Sequence, residues 1–184
     1  MAGPAVLLRN RAALVVVDVQ SKLLAKMEEK EELLKNCKLL TAAAQELSVP
    51  IVVTEQYPKG IGQTDGELLE TISEPEVIEK DTFSCFGESK FERSLTSKET
   101  RHLILCGIES HVCVYQTALH ALDFGFSVFV TADAVSSRKE QHKEWALAAL
   151  NSAGCTVVPT ETVVFQLLER CGTKEFKALL PLIK

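Results

Sequence analysis

Six consecutive apolar residues, Ala12 to Val17, run straight into Asp18. The run is too short for a buried helix and rich in valine, so it reads as a strand with both faces covered, as in the interior of a parallel sheet. Leu103 to Cys106 repeats the pattern and stops at Gly107. Parallel strands cannot be joined by a hairpin and need a crossover, usually a helix. The two runs therefore demand alternating strands and helices between and around them.

The rest of the chain supplies that alternation. Leu33, Cys37, Leu40, Ala44 and Leu47 recur at helical spacing, Pro50 closes the helix, and Ile51 to Val53 form a second strand. Thr54 to Gly66 has the composition of a surface loop. Val77 to Lys80 is a short strand, and the segment from Cys113 to about Phe124 is a helix stopped by Gly125. Ser127 to Thr131 is a strand, Asp133 to Arg138 a loop, Lys139 to Ala153 a helix, Thr156 to Val158 a strand and Glu161 to Arg170 a helix. The expected fold is one α/β domain over residues 1–184, an open, mostly parallel sheet with helices on both faces in a three-layer, Rossmann-like arrangement.

Composition narrows the function. With 46% apolar and 24% charged residues the chain reads as an ordinary globular domain. A net charge of −5 and the lack of a dense Lys/Arg stretch exclude the usual means of holding a phosphate backbone, so no nucleic-acid partner is expected. No apolar run approaches the roughly 18 residues of a membrane span, and the first eleven residues lack a signal-peptide core. The six cysteines form no CxxC pair and mostly sit inside apolar patterns, as reduced structural cysteines do. A cytoplasmic protein with a small-molecule substrate is expected, and a homo-oligomer is the one protein assembly this reading leaves room for.

Ligands of open parallel sheets bind at the carboxyl ends of the strands. Asp18, Lys80 and the turn before Cys113 all fall at such ends. A cysteine at the start of a helix feels the positive end of the macrodipole, which favours thiolate. A carboxylate can take the thiol proton and an ammonium can hold the resulting charge, so Asp18, Lys80 and Cys113 together suit nucleophilic catalysis. No histidine is placed as the base. His111 points to another side of the helix from Cys113, His120 lies two turns on, His102 begins a strand at its other end, and His142 belongs to a separate helix. Phosphate loops of the GxGxxG or GxxxxGK[ST] kind, a GxSxG elbow and an Asp-x-Asp after the first strand are absent.

The segments Val15-Val16-Val17-Asp18-Val19-Gln20, Thr54-Glu55-Gln56-Tyr57-Pro58-Lys59-Gly60, Ile78-Glu79-Lys80-Asp81-Thr82-Phe83-Ser84 and Gly107-Ile108-Glu109-Ser110-His111-Val112-Cys113-Val114 resemble the isochorismatase-like cysteine hydrolases. The resemblance runs from about residue 11 to 170 and is nearest to the isochorismatase-domain-containing proteins. It implies a catalytic Asp18, Lys80 and Cys113, a cis peptide between Ile108 and Glu109, and an oxyanion hole from the backbone N–H groups of Glu109 and Cys113. Gln20, Glu55, Gln56, Tyr57, Phe83, Ile108 and the Glu109 side chain are the expected substrate contacts, with Asp133 and Arg138 bracing their loop.

Two departures shape the expected chemistry. The nicotinamidase branch holds a metal with an Asp and histidines after the second strand, where this chain has Glu55-Gln56-Tyr57-Pro58 and no histidine before His102. No metal and no cofactor are therefore expected. Isochorismatases proper open a vinyl ether, a reaction without evident need of a thiol, so Cys113 favours an amide-like substrate. A catalytically silent member serving as a binding or scaffolding protein is the alternative from another class.

Overall fold

The structure, a computed structural model, describes residues 6–96 and 99–183. Its strands are β1 (Ala12–Val17), β2 (Ile51–Gln56), β3 (Glu76–Lys80), β4 (His102–Ile108), β5 (Ser127–Ser136) and β6 (Thr156–Val158). They form one sheet in the order β3-β2-β1-β4-β5-β6, with every neighbouring pair parallel. The helices are α1 (Ser21–Leu24), α2 (Lys30–Glu46), α3 (Pro58–Ile61), α4 (Gly66–Leu69), α5 (Ser89–Thr96), α6 (Tyr115–Asp123), α7 (Glu140–Ala153), α8 (Thr160–Leu168) and α9 (Lys174–Ile183).

The apolar runs that opened the reading are the two central strands, and every residue of β1 and β4 is buried. Side chains alternate between the faces of a strand, so each run feeds two cores. Leu14 and Val16, with Ile104, Cys106 and Phe129, pack against Leu33, Cys37, Leu40 and Ala44 of α2, Val163 and Leu167 of α8 and Leu179 of α9. Ala13, Val15 and Val17, with Leu103, Leu105 and Val130, pack against Phe91 and Leu95 of α5, Ala118 and Ala121 of α6 and Leu150 of α7. Each fully buried Val, Leu or Phe contributes about 1.5–3 kcal/mol. A single register slip would send both sets to the wrong layer.

Three boundaries differ from the sequence reading. β2 continues through Thr54, Glu55 and Gln56, because its ladder to β3 pairs Glu55 with Glu79 and Gln56 with Lys80 whatever the side-chain polarity. β5 runs on through a shift in register to Ser136, although the sequence pattern predicts a loop over Asp133 to Arg138. Leu105 pairs with Val130 but Gly107 with Val135, and the Thr131 hydroxyl donates to the Leu105 carbonyl at 2.9 Å across the irregularity. The helix carrying Cys113 opens with a π-helical turn, Ser110–Val114, before α6. Beyond Arg170 the structure adds α9, which the sequence pattern does not predict.

The order of the sheet reverses between β1 and β4, and at such a switch point the connections leave to opposite sides and open a crevice. Gly107 decides how close the two strands come there. Its φ of +114° lies in the region that favours glycine, and an added Cβ would stand 2.1 Å from the Val17 carbonyl oxygen. That contact is with backbone, which cannot swing aside. Gly125, with a φ of +81°, has open space around it. Gly107→Ala should therefore cost about 3 kcal/mol or more, from clash and backbone strain together, and Gly125→Ala about 1 kcal/mol from conformation alone. Urea unfolding of the two variants checks the difference.

Candidate active site

Asp18 follows β1 and Lys80 ends β3, so the two lie two strands apart, a gap of roughly 10 Å that only a long side chain can span. Lys80 spans it. Its Nζ donates to Asp18 Oδ2 at 2.7 Å, and neither side chain has any exposed surface. β2 lies between them and supplies support from below. Thr54 and Gln56 are two residues apart and share a face. The Thr54 hydroxyl donates to Asp18 Oδ1 at 2.8 Å, while Gln56 Oε1 accepts from Lys80 Nζ at 2.6 Å. The carbonyls of Thr82 and Phe83 accept from the same ammonium at 3.2 and 3.3 Å.

Cys113 enters from the other side of the switch point, buried in the π-helical turn that follows β4. The peptide between Ile108 and Glu109 is cis. The Glu109 carbonyl accepts from the N–H groups of Val112 and Val114, which anchors the turn. Burial, then the charge of Asp18, push the Cys113 thiol well above its ordinary value, and hydrogen bonding to Asp18 adds to this while Lys80 pulls the other way. Burial opposes the Lys80 ammonium, yet the charge of Asp18, with Cys85 and Cys113, leaves it held more firmly than a free lysine. The three groups thus feel one another. Burial and the neighbouring carboxylate favour the thiol form of Cys113, against the pull of Lys80 and of the helix terminus that the sequence pattern suggests.

The expected substrate contacts divide. Tyr57 and Phe83 are more than half exposed on the loops that follow β2 and β3, and Tyr57 lines a depression of about 260 Å³ with Pro58, Lys59 and Asp81. Gln20 is fully buried and its amide is turned to protein, a correction to its expected role. Its Oε1 accepts from Gln56 N at 2.8 Å, and its Nε2 donates to the carbonyls of Gln56 and Gly62. Gln56 is likewise engaged, its Nε2 donating to the Asp81 carbonyl at 3.0 Å. Glu55 Oε1 accepts from the N–H and hydroxyl of Thr64, and Ile108 is a fully buried core residue. Glu109 Oε2 accepts from the N–H and Nε of Arg138, and Asp133 Oδ1 caps α8 by accepting from Thr160, so both loop braces stand as expected.

The sequence reading missed Thr54 and Cys85. Thr54 pairs with Val17 in the ladder, next to Asp18, and knowing that register would have found it. The Cys85 thiol donates to Thr54 Oγ1 at 3.8 Å, and burial, then Asp18, push its pKa up to about 11. Ser110 Oγ is buried with no hydrogen-bond partner among the described residues. The histidines near the site are braces: His120 Nδ1 meets Ser84 Oγ at 2.8 Å and His111 Nδ1 meets Ser137 Oγ at 2.9 Å. Among the described residues no group of three or more His, Cys, Asp or Glu is arranged to hold a metal ion. No helix there is long and apolar enough to cross a membrane.

Fold and site define a class: a three-layer α/β protein in which a carboxylate, an ammonium and a thiol converge at the switch point of a parallel sheet. The chain belongs to the isochorismatase family, whose members are generally hydrolases; the model of the Isochorismatase domain matches residues 12–162. Isochorismatase family protein 1B of Dictyostelium discoideum is 34% identical over 177 residues, covering 94% of this chain and 86% of that protein. The solved structure of MAR1 ribonuclease from Caenorhabditis elegans superposes with a TM-score of 0.92 at 34% identity, over 97% of this chain and 92% of that one. YcaC from Pseudomonas aeruginosa, solved with hexane-2,5-diol and covalent acrylamide, gives 0.90 at 26% identity over 96% and 90%.

The signs of the Cys113 shifts predict opposite effects of two substitutions. Asp18→Asn removes the charge that raises the thiol pKa, so iodoacetamide should alkylate Cys113 faster at pH 8. Lys80→Met removes the charge that lowers it and should slow the reaction, each by about threefold per pKa unit moved, because a less basic thiolate is also a weaker nucleophile. Lys80→Met should also cost about 3–5 kcal/mol by leaving Asp18 buried and unpaired. Peptide mapping by mass spectrometry reads the first effect and urea unfolding the second.

Proposed function

We propose that the chain is a cysteine hydrolase of a small amide-like substrate, with Asp18, Lys80 and Cys113 as its catalytic groups. The observation that carries the reading is the fully buried Asp18–Lys80 ion pair beside the Cys113 thiol. Isolated from water, such a pair costs desolvation energy that a structural role alone does not require. The covalent acrylamide in the YcaC structure supports a reactive nucleophile in that relative.

The steps follow from the charges. Cys113 Sγ forms a bond to the substrate carbonyl carbon as its proton passes to Asp18, and the carbonyl oxygen gains the negative charge. The backbone N–H groups of Glu109 and Cys113 receive that oxyanion. The C–N bond then breaks, and the amine leaves with the proton from Asp18. Water attacks the thioester, giving a proton to Asp18, and the acid departs as the thiolate is released and reprotonated. Lys80 stays an ammonium throughout and steadies both the carboxylate and the sulfur. Because the thiol pKa is raised, proton transfer accompanies attack and no free thiolate need accumulate.

The ribonuclease name belongs to the nematode neighbour. A net charge of −5 offers a poor surface for a polyanion.

A panel of small amides, assayed for released amine, tests the proposal. Cys113→Ala should abolish turnover, and Asp18→Asn should lower kcat/KM by about 10²–10⁴-fold although it speeds alkylation. Intact-mass spectra of quenched reactions should show the acyl group on wild-type protein and none on Cys113→Ala. Turnover that survives Cys113→Ala would exclude thiol catalysis, and stabilisation by panel members with no product would favour a binding role.

A further inference from the structure

The Lys80 ammonium has three protons, and four oxygens surround it: Gln56 Oε1 at 2.6 Å, Asp18 Oδ2 at 2.7 Å, and the Thr82 and Phe83 carbonyls at 3.2 and 3.3 Å. The two short contacts fix two protons, and the two backbone carbonyls share the third. Of the short pair, one partner is the proposed proton acceptor. The other is neutral and keeps its place whether Asp18 is charged or protonated. We propose that Gln56 is the positioning residue of the site, holding the Lys80 ammonium in place while Asp18 gains and loses its proton.

The local structure of β2 and β3 makes this geometry specific. Gln56 and Lys80 are paired in the ladder, so their side chains rise on the same face of the sheet. The Gln56 amide has one workable orientation. Its Nε2 donates to the Asp81 carbonyl at 3.0 Å, and a flipped amide would set N–H against ammonium and oxygen against carbonyl. The backbone is fixed as well. Gln20 accepts from Gln56 N at 2.8 Å and donates to Gln56 O at 3.0 Å, binding the end of β2 to the segment after β1. Two glutamines that sequence alone suggested as substrate contacts thus act in series, Gln20 setting the backbone of Gln56 and Gln56 setting Lys80.

The distinction from a simple brace is chemical. When Asp18 takes the thiol proton it loses its charge and its hold on Lys80 weakens. Without a second strong acceptor the ammonium would be left to the two long contacts with the carbonyls of Thr82 and Phe83 and would lose its fixed position. Gln56 therefore acts through Lys80.

This inference rests on the proposed roles of Asp18, Lys80 and Cys113, and its test separates the two. The probe is iodoacetamide, and the readout is the pH profile of Cys113 alkylation in the full chain, followed by peptide mapping. Gln56→Met keeps the length and removes the acceptor, so it should slow Cys113 alkylation by about threefold to tenfold at pH 8 and move the profile to higher pH, in the direction of Lys80→Met. Gln56→Asn withdraws the acceptor by one methylene without adding charge, should slow it in the same direction, and serves if Gln56→Met fails to fold. Gln45→Met is the comparator, because Gln45 braces the Thr71–Ser73 turn far from the site. If Gln56→Met lowers the urea midpoint as Gln45→Met does and leaves the pH profile at its wild-type position, Gln56 is a brace and the inference is overturned. If Asp18→Asn and Lys80→Met also leave the profile unmoved, the catalytic reading falls with it.

Discussion

The Asp18–Lys80 ion pair is the constraint on which the rest of the site depends. Two opposite charges with no exposed surface survive in a protein interior only if each lone pair and proton is matched. Here Thr54 occupies the second carboxylate oxygen, and Gln56 with two backbone carbonyls occupies the ammonium. Three adjacent strands must therefore end in register, β1 with Asp18, β2 with Thr54 and Gln56, β3 with Lys80. A shift of one residue in β2 would turn both supports to the opposite face.

The same pair acts on the Cys113 thiol. A carboxylate near a buried sulfur opposes a second negative charge, and the ammonium only partly offsets it. In the proposed mechanism a substrate carbonyl arrives to share the charge, so a free electrophile in solution meets a quieter sulfur than the substrate would. Such an arrangement limits oxidation and side reactions, which track thiolate character. Gly107 contributes by bringing β4 against β1, so that the Cys113 turn and Asp18 share one crevice.

Much of this was legible in the sequence, for identifiable reasons. The apolar runs 12–17 and 103–106 could hardly be anything but central parallel strands, and their sharp ends at Asp18 and Gly107 marked the switch point. Lys80 and Cys113 followed because a parallel topology collects strand ends at one edge. The polar ends of β2 and β5 were read as loops, since periodicity reports side-chain burial while these segments are held by backbone ladders.

The sequence by itself thus determined the layers, the strand ends and the three side chains that meet there, because each is encoded by a local pattern or by a residue type that chemistry makes conspicuous. Only the tertiary structure decided that Thr54 and Gln56 support the ion pair, that Gln20 is a tie between loops, that Cys85 lies beside the site and that burial and Asp18 favour the protonated thiol. Those facts depend on which residues stand opposite one another across strands distant in sequence, and on how deeply the charges are buried. Register and burial are properties of the folded chain, and one-dimensional spacing does not contain them.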